Sequence, residues 1–327
     1  MINAPPVTTL LHFNYEIIDN TEQKGYNAFR LTIFLIIIHI DSLDKGGMAM
    51  NFDRLLFGTA GVPNSTPRKN NPIEGVKQIR ALDLDCMQLE FAHGVRMKEE
   101  VSSGLRKASF ELGVPLTSHG PYYINLNARE QDKIDSSVER IIQTAKISDL
   151  CGAESMTFHA AFYMKDSPYD VFDLVEKSLN VIEERLGRLD IEIELRPELT
   201  GKTSQFGSLQ ELVSLTKSVN SCSPCMDFSH LYARTGKYNT YQEFTDVLTD
   251  LQNELGRLCL DNMHIHISGI SSNSKGDLKH LNLDSSRFNW KELIRALKDL
   301  NCKGYIICNS PNLEVDAKML KDYYLTL

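Results

Sequence analysis

No apolar run in this sequence reaches the roughly 20 residues a helix needs to cross a bilayer. The one hydrophobic segment of note, residues 29–40, reads PheArgLeuThrIlePheLeuIleIleIleHisIle. It also fails as a signal peptide. Acidic and polar residues precede it, and AspSerLeuAspLys follows where small residues would mark a cleavage site. Two readings stay open: an extra strand or short apolar anchor, or translated upstream sequence with the natural start at Met48 or Met50. The second is preferred, because Met50 leads directly into AsnPheAspArgLeuLeuPheGlyThrAla, which reads as a first strand. On that reading residues 1–49 are an N-terminal extension outside the core, and residues 50–327 form one domain.

A surplus of positive charge is also missing. Lys and Arg number 35 against 43 Asp and Glu, for a net charge of -8. A protein that held nucleic acid by net charge alone would be basic. The exclusion is weak, because bound divalent cations reverse the local sign at a site. There is no glycine-rich phosphate fingerprint: Gly58-Thr59-Ala60-Gly61 lacks the dinucleotide and P-loop spacings and reads as an ordinary strand-to-helix turn. No disulfide framework is visible. Seven cysteines, an odd number, point to a reducing, cytoplasmic setting. Cys222-Ser-Pro-Cys225 has no second CxxC to complete a zinc ribbon, so both read as buried thiols. The other five cysteines have no His at nucleophile spacing, which argues against a catalytic thiol.

What is present is a rhythm. Short apolar or β-branched runs alternate with stretches of helical periodicity. The spacing predicts strands at 55–58, 86–91, 115–118, 155–159, 191–196, 223–227, 264–268 and 304–308. It predicts helices at 72–82, 98–112, 130–150, 168–186, 209–219, 241–255, 290–300 and 314–323. Gly113, Gly152 and Gly187 are expected to end helices. Eight such units make a (β/α)8 TIM barrel, a single α/β domain whose active site is built at the C-terminal ends of the strands.

Potential metal ligands fall at those ends: His119, His159, Glu198, Asp227, His230, His266, Asp277, His280 and, in degraded form, Asn309. Imidazole with carboxylate is a zinc-type ligand set, with manganese or iron as alternatives. Glu198 sits at its strand's end, with Glu194 as the competing carboxylate. His264 and His266 share a strand face. The ligand role goes to His266, nearer the C-terminal end, and packing or support to His264. AspPheSerHis, carrying Asp227 and His230, is the most specific local signal. Asp277 and His280 lie on a loop after the seventh strand and suit a separate ion.

These residues resemble the endonuclease IV family of apurinic/apyrimidinic endonucleases. The likeness spans residues 55–320 and rests on SerHisGlyProTyrTyrIleAsnLeu, ThrPheHis, GluLeuThrGlyLysThrSerGlnPheGly, MetAspPheSerHis, HisIleHisIleSerGly and LysGlyAspLeuLysHis. It implies a xylose-isomerase-like barrel with up to three zinc ions. His119 and His159 would bind the first, Glu198 would bridge to the second, and Asp227 with His266 would help complete that second site. His230, Asp277 and His280 would hold the third. AspLeuLysHis is looser than the family's Asp-x-His, which makes Asp277 the least secure. The implied reaction is hydrolysis of the phosphodiester 5′ to an abasic site in double-stranded DNA, by a monomer acting in DNA repair with no membrane partner. Tyr122, Tyr123 and Arg96 would contact the DNA. Asn309 stands where the family has a ligand glutamate that orients the attacking water. Two alternatives follow: a catalytically weakened or inactive binder of damaged DNA or metal, and a metal-dependent sugar isomerase or epimerase on the same barrel.

Overall fold

The computed structural model describes residues 52–68 and 71–327. The expectations placed on residues 29–40 and on Met48 or Met50 lie outside them. The first half of the barrel runs β1 (Leu55–Ala60), α1 (Pro72–Ala81), β2 (Cys86–Glu90), α2 (Glu99–Leu112), β3 (Leu116–His119), α3 (Gln131–Cys151), β4 (Ala153–Phe158) and α4 (Pro168–Arg188). The second half begins with β5 (Glu194–Pro197), α5 (Leu209–Ser218), β6 (Cys225–Asp227), α6 (Phe228–Thr235), α7 (Tyr241–Leu255), α8 (Leu258–Asp261) and β7 (Met263–Ile267). A hairpin, β8 (Gly269–Asn273) and β9 (Gly276–Leu281), precedes α9 (Trp290–Asp299), β10 (Gly304–Cys308) and α10 (Glu314–Thr326).

Eight strands pair in the order β5-β4-β3-β2-β1-β10-β7-β6, and every neighbouring pair among them is parallel. The ring closes between β5 and β6 through parallel bridges at Leu195–Cys222 and Glu198–Cys225. Leu195 N–H donates to the Ser221 carbonyl at 2.9 Å and Leu199 N–H to the Cys225 carbonyl at 3.0 Å. This is the single-domain TIM barrel expected from the alternation.

The apolar layer lies between strands and helices. Phe57, Phe158, Phe206, Phe228 and Phe244 are fully buried, and each such ring stabilises by about 2–3 kcal/mol through burial alone. Local signals set the helix ends. Ser208 with Glu211 and Thr240 with Glu243 form reciprocal capping boxes at the starts of α5 and α7. Gly113 and Gly152 end α2 and α3 in the left-handed conformation. Gly187 does not end its helix. α4 continues to Arg188, and Asp190 at φ 56 makes the turn, its N–H bonded to the Gly187 carbonyl. β5 accordingly begins at Glu194 rather than residue 191, because Ile191 N–H closes the helix end on the Leu186 carbonyl at 3.1 Å.

Besides the single turn of α8, α6 and a hairpin were not legible as periodic patterns. α6 follows Asp227 at once, with the Asp227 side chain capping it through His230 N–H at 2.7 Å. The predicted loop of Asp277 and His280 is the β8–β9 hairpin, turned by an Asn273 side chain that accepts from Lys275 N–H at 2.8 Å. Gly276 (φ +106) is required there, since a Cβ would sit 2.0 Å from the Gly201 carbonyl oxygen. Among the described residues, no helix is long and apolar enough to cross a membrane.

Candidate metal centre

The strands deliver their C-terminal side chains to one place. His119 ends β3, His159 follows β4, Glu198 follows β5, Asp227 ends β6 and His266 lies near the end of β7. All but His159 are buried, and His159 is largely so. Glu198 is the hub. Its Oε2 lies 3.0 Å from His119 Nε2, 3.5 Å from His159 Nε2 and 3.4 Å from His266 Nδ1. Its Oε1 lies 3.2 Å from His230 Nδ1. Two ligands at about 2.1 Å from one tetrahedral ion stand roughly 3.4 Å apart, so these separations suit coordination. Two triads, His119–His159–Glu198 and Glu198–Asp227–His266, each bring one ligand atom per residue within 4.8 Å of the others.

Charges follow from the crowding. Burial opposes ionisation of Glu198, yet the charges of His266 and His159 and the bonds from His119 and His159 hold its carboxyl well below the usual range. Burial pulls His119 down, but the Glu198 hydrogen bond and charge override it and push it up to about 9. For His230 burial is likewise overcome, by Asp227 and Glu198 with a further contribution from Asp277, to about 10. Burial and then His230 push His280 down.

A neighbouring pair extends the cluster. His230 Nε2 and His280 Nε2 face each other at 3.4 Å. The opposite nitrogen of each ring is committed to a carbonyl: His230 Nδ1 to Leu199 at 2.9 Å, His280 Nδ1 to Asn309 at 3.1 Å. Carbonyls only accept, so both Nδ1 atoms carry hydrogen and two lone pairs point at each other in the neutral rings. A cation between them, a metal ion or a proton, removes that conflict. His119 follows the same rule, with Nδ1 bonded to the Gly120 carbonyl at 2.7 Å and Nε2 aimed at Glu198. Backbone carbonyls orienting imidazoles for an ion is a common arrangement in metal sites. Asp277 packs against Gly201, where a Cβ would come within 2.5 Å of Oδ1, and its charge reaches His230.

Two further observations fit a metal. Asp227 Oδ2 and Asn309 Oδ1 are buried with no hydrogen-bond partner among the described residues, a costly state for oxygen acceptors unless something else engages them. Asn309 does stand at the mouth, just past β10, its Nδ2 3.2 Å from His266 Nδ1.

The remaining sequence candidates divide. Tyr122 is 55% exposed, its ring 5.4 Å from that of His119 and 6.2 Å from that of His159. Tyr123 packs beneath the Arg140 guanidinium at 4.7 Å, with its hydroxyl against Gly94. Arg96 is exposed in that same Gly94 loop. Arg234, one of the basic residues near the mouth, is not free for phosphate: its guanidinium bonds the carbonyls of Thr200, Lys202 and Gln205. Glu194 is removed as a rival ligand by its ion pair with Arg196 at 2.6 Å. Cys222 and Cys225 are buried thiols, pushed up by burial. His264 is enclosed and supports the site from below, bonded to Ser155 Oγ and Gln88 Oε1 at 3.1 Å each. Gln88 and Glu90 escaped the sequence reading. Their signal was the period-2 placement of polar residues in CysMetGlnLeuGlu on β2.

Comparisons with known proteins agree with this fold. Residues 76–323 match the AP endonuclease 2 profile, described as a xylose isomerase-like TIM barrel. The chain is 41% identical over 271 residues to an uncharacterized protein of Methanocaldococcus jannaschii, covering 83% of this chain and 97% of that one. It is 24% identical over 186 residues to a probable endonuclease 4 of the aster yellows witches'-broom phytoplasma, covering 56% of this chain and 62% of that protein. Endonuclease IV from Thermus thermophilus superposes with a TM-score of 0.65 at 19% identity, over 84% of this chain and 100% of that one. A D-tagatose 3-epimerase-like protein does so with 0.64 at 16%, over 83% and 97%. At such identities the structural likenesses establish the fold alone. With the profile match covering most of its length, the chain belongs to the AP endonuclease 2 family of xylose isomerase-like TIM barrels.

Proposed function

We propose that this protein is a metal-dependent endonuclease that hydrolyses the phosphodiester 5′ to an abasic site in double-stranded DNA. The observation that carries the proposal is the facing pair His230–His280 beside the Glu198 cluster. A sugar isomerase or epimerase needs only the one or two ions that the Glu198 triads can hold. It has no use for a further imidazole pair with Asp277 next to it. A phosphodiester has several oxygens to neutralise along the line of attack, and a multi-ion site serves that need.

In this reading His119, His159 and Glu198 would hold a first zinc, Glu198 with Asp227 and His266 a second, and His230, Asp277 and His280 a third. The bound ions would polarise phosphoryl oxygens and make water a better nucleophile near neutral pH. The chain's own residues do the rest. Carbonyls of Gly120, Leu199 and Asn309 keep the imidazoles aimed inward. Tyr122 offers an exposed ring beside the cluster, suited to stack on bases flanking an unpaired sugar. Arg96, exposed in the loop after β2, would meet phosphate.

Asn309 favours a second reading, a damaged-DNA binder with weak hydrolysis. Its amide brings no charge and accepts no proton, so any ion beside His266 is held less firmly there than a carboxylate would hold it.

The test is incision of a duplex oligonucleotide bearing one abasic site, by zinc-loaded and chelator-stripped protein. Metal-dependent cleavage on the 5′ side, leaving a 3′ hydroxyl, is the expected result. Tight binding without cleavage would select the second reading. Absence of both, with turnover of a ketose, would overturn the proposal.

A further inference from the structure

Three of the imidazoles at the mouth are oriented by backbone carbonyls, but His266 is not. Its partner is a side chain. Gln88, 1% exposed on β2, places Oε1 2.9 Å from His266 Nε2 and 3.1 Å from His264 Nε2. The same amide's Nε2 donates to Glu90 Oε1 at 2.8 Å.

This arrangement decides which way the amide points. Rotating it would set a carbonyl oxygen 2.8 Å from a carboxylate oxygen, with two acceptors facing each other. Glu90 therefore locks the Gln88 oxygen towards the histidines. An amide oxygen accepts and cannot donate, so both His264 and His266 must carry hydrogen on Nε2. His264 Nδ1 is then free to accept from Ser155 Oγ at 3.1 Å. His266 Nδ1 is left towards Glu198 Oε2 at 3.4 Å and Asn309 Nδ2 at 3.2 Å. Thr117 Oγ1, at 3.5 Å, is a weak third contact to the same oxygen.

We infer that Gln88, anchored by Glu90, is a positioning residue that holds Nε2–H on His266 and presents Nδ1 to the ion shared with Glu198 and Asp227. The role rests on the proposed metal reading for its ion, but the tautomer assignment does not. Without Gln88, the His266 ring could place its hydrogen on Nδ1 against the nearby Glu198 oxygen, which blocks the coordinating nitrogen. Side chains one step from a metal that orient its imidazoles commonly change affinity by about 10- to 100-fold.

The test has two independent readings. Long-range 1H–15N spectra of the histidine rings in metal-free and zinc-loaded protein report the tautomers directly. Hydrogen on Nε2 of both His264 and His266 in each state is the expected result, and hydrogen on Nδ1 alone of His266 would overturn the assignment. Cobalt(II) titration, followed by its visible bands and by calorimetry, reports each site. Gln88→Leu should weaken one binding step by about 10- to 100-fold, leave the others unchanged, and release His266 to carry hydrogen on Nδ1 in the metal-free spectra. Unchanged cobalt affinity in a folded Gln88→Leu would overturn the positioning role. If the native protein took up no metal, the metal reading would fall, and with it the positioning role, while the metal-free spectra would still decide the tautomer. If Gln88→Leu does not fold, Glu90→Ala frees the amide on the exposed side and is read the same way.

Discussion

Replacing Asn309 by glutamate should split the stability of this protein according to whether metal is bound. Contacts of 3.2 Å and 3.4 Å link the Asn309 amide to Glu198 through His266 Nδ1. A carboxylate at position 309 would therefore lie within roughly 7 Å of Glu198, where two like charges cost about 2–3 kcal/mol at an effective dielectric of 20. Asp227, already buried with an unpartnered oxygen, adds to the repulsion. With protonated His119 and His230 offsetting part of the repulsion, metal-free Asn309→Glu should be destabilised by about 1–2 kcal/mol. With an ion in place the sign reverses, because each carboxylate then faces a dication. The gap between loaded and stripped melting temperatures should widen by roughly 2–8 °C, at about 2–4 °C per kcal/mol for a domain of this size. Circular dichroism melts in chelator and in zinc measure it. An unchanged gap, or a variant more stable in chelator than the native protein, would refute the reasoning that position 309 faces a metal.

Other outcomes follow from single contacts. Asp85 joins Arg54 at 2.9 Å, Lys321 at 3.1 Å and the Phe57 N–H at 3.0 Å, and Asp85→Ala would leave the nearly buried Lys321 with only the Asp83 carbonyl and the exposed Asp83 carboxylate at 3.5 Å. The loss should be about 3–5 kcal/mol, read as a lower urea midpoint, and a loss under about 1 kcal/mol would contradict it. Burial raises the Asp85 carboxyl, but Arg54, Phe57 N–H and Lys321 together hold it below the usual carboxylate range. Its stabilisation is thus fully present above an unfolded pKa of about 3.9 and disappears as pH falls through the lower folded value. The urea-midpoint difference between Asp85→Ala and the native protein should therefore be full at pH 7 and shrink below about pH 4; a difference that persists at pH 2 would contradict this. Tyr122→Ala should leave melting and metal content unchanged while weakening binding to an abasic duplex by about 1–3 kcal/mol, measured by fluorescence anisotropy. Tyr123→Ala, whose ring is engaged by Arg140, should weaken binding less. His280→Ala should lower bound zinc by one equivalent without disturbing the Glu198 cluster, and an unchanged zinc count would remove the third ion.

The barrel was legible because its eight strands and the eight helices that alternate with them announced themselves locally, by β-branched runs, capping residues and periodic apolar positions. The strand-end candidates were legible for the same reason: a polar residue closing an apolar strand stands out from the run before it. The convergence on Glu198 was carried by the family likeness, since no spacing rule tells that His119 and His266 will lie on either side of one carboxylate. What stayed hidden were contacts made across the lumen. Gln88 looks like any polar residue on a strand until β7 brings two histidines to its oxygen. Nothing in the sequence marks Arg234 as engaged until the loop after β5 folds its carbonyls around it. The β8–β9 hairpin is nearly all polar and has no apolar alternation to mark it, so it reads as a loop.

The central claim is that these residues form a multi-ion centre organised by Glu198. Elemental analysis of the purified, zinc-equilibrated chain and of Glu198→Gln tests it most directly. More than one zinc per native chain, falling by at least one in Glu198→Gln, is the predicted result. One zinc or none in the native chain, or a count indifferent to Glu198, would contradict the account.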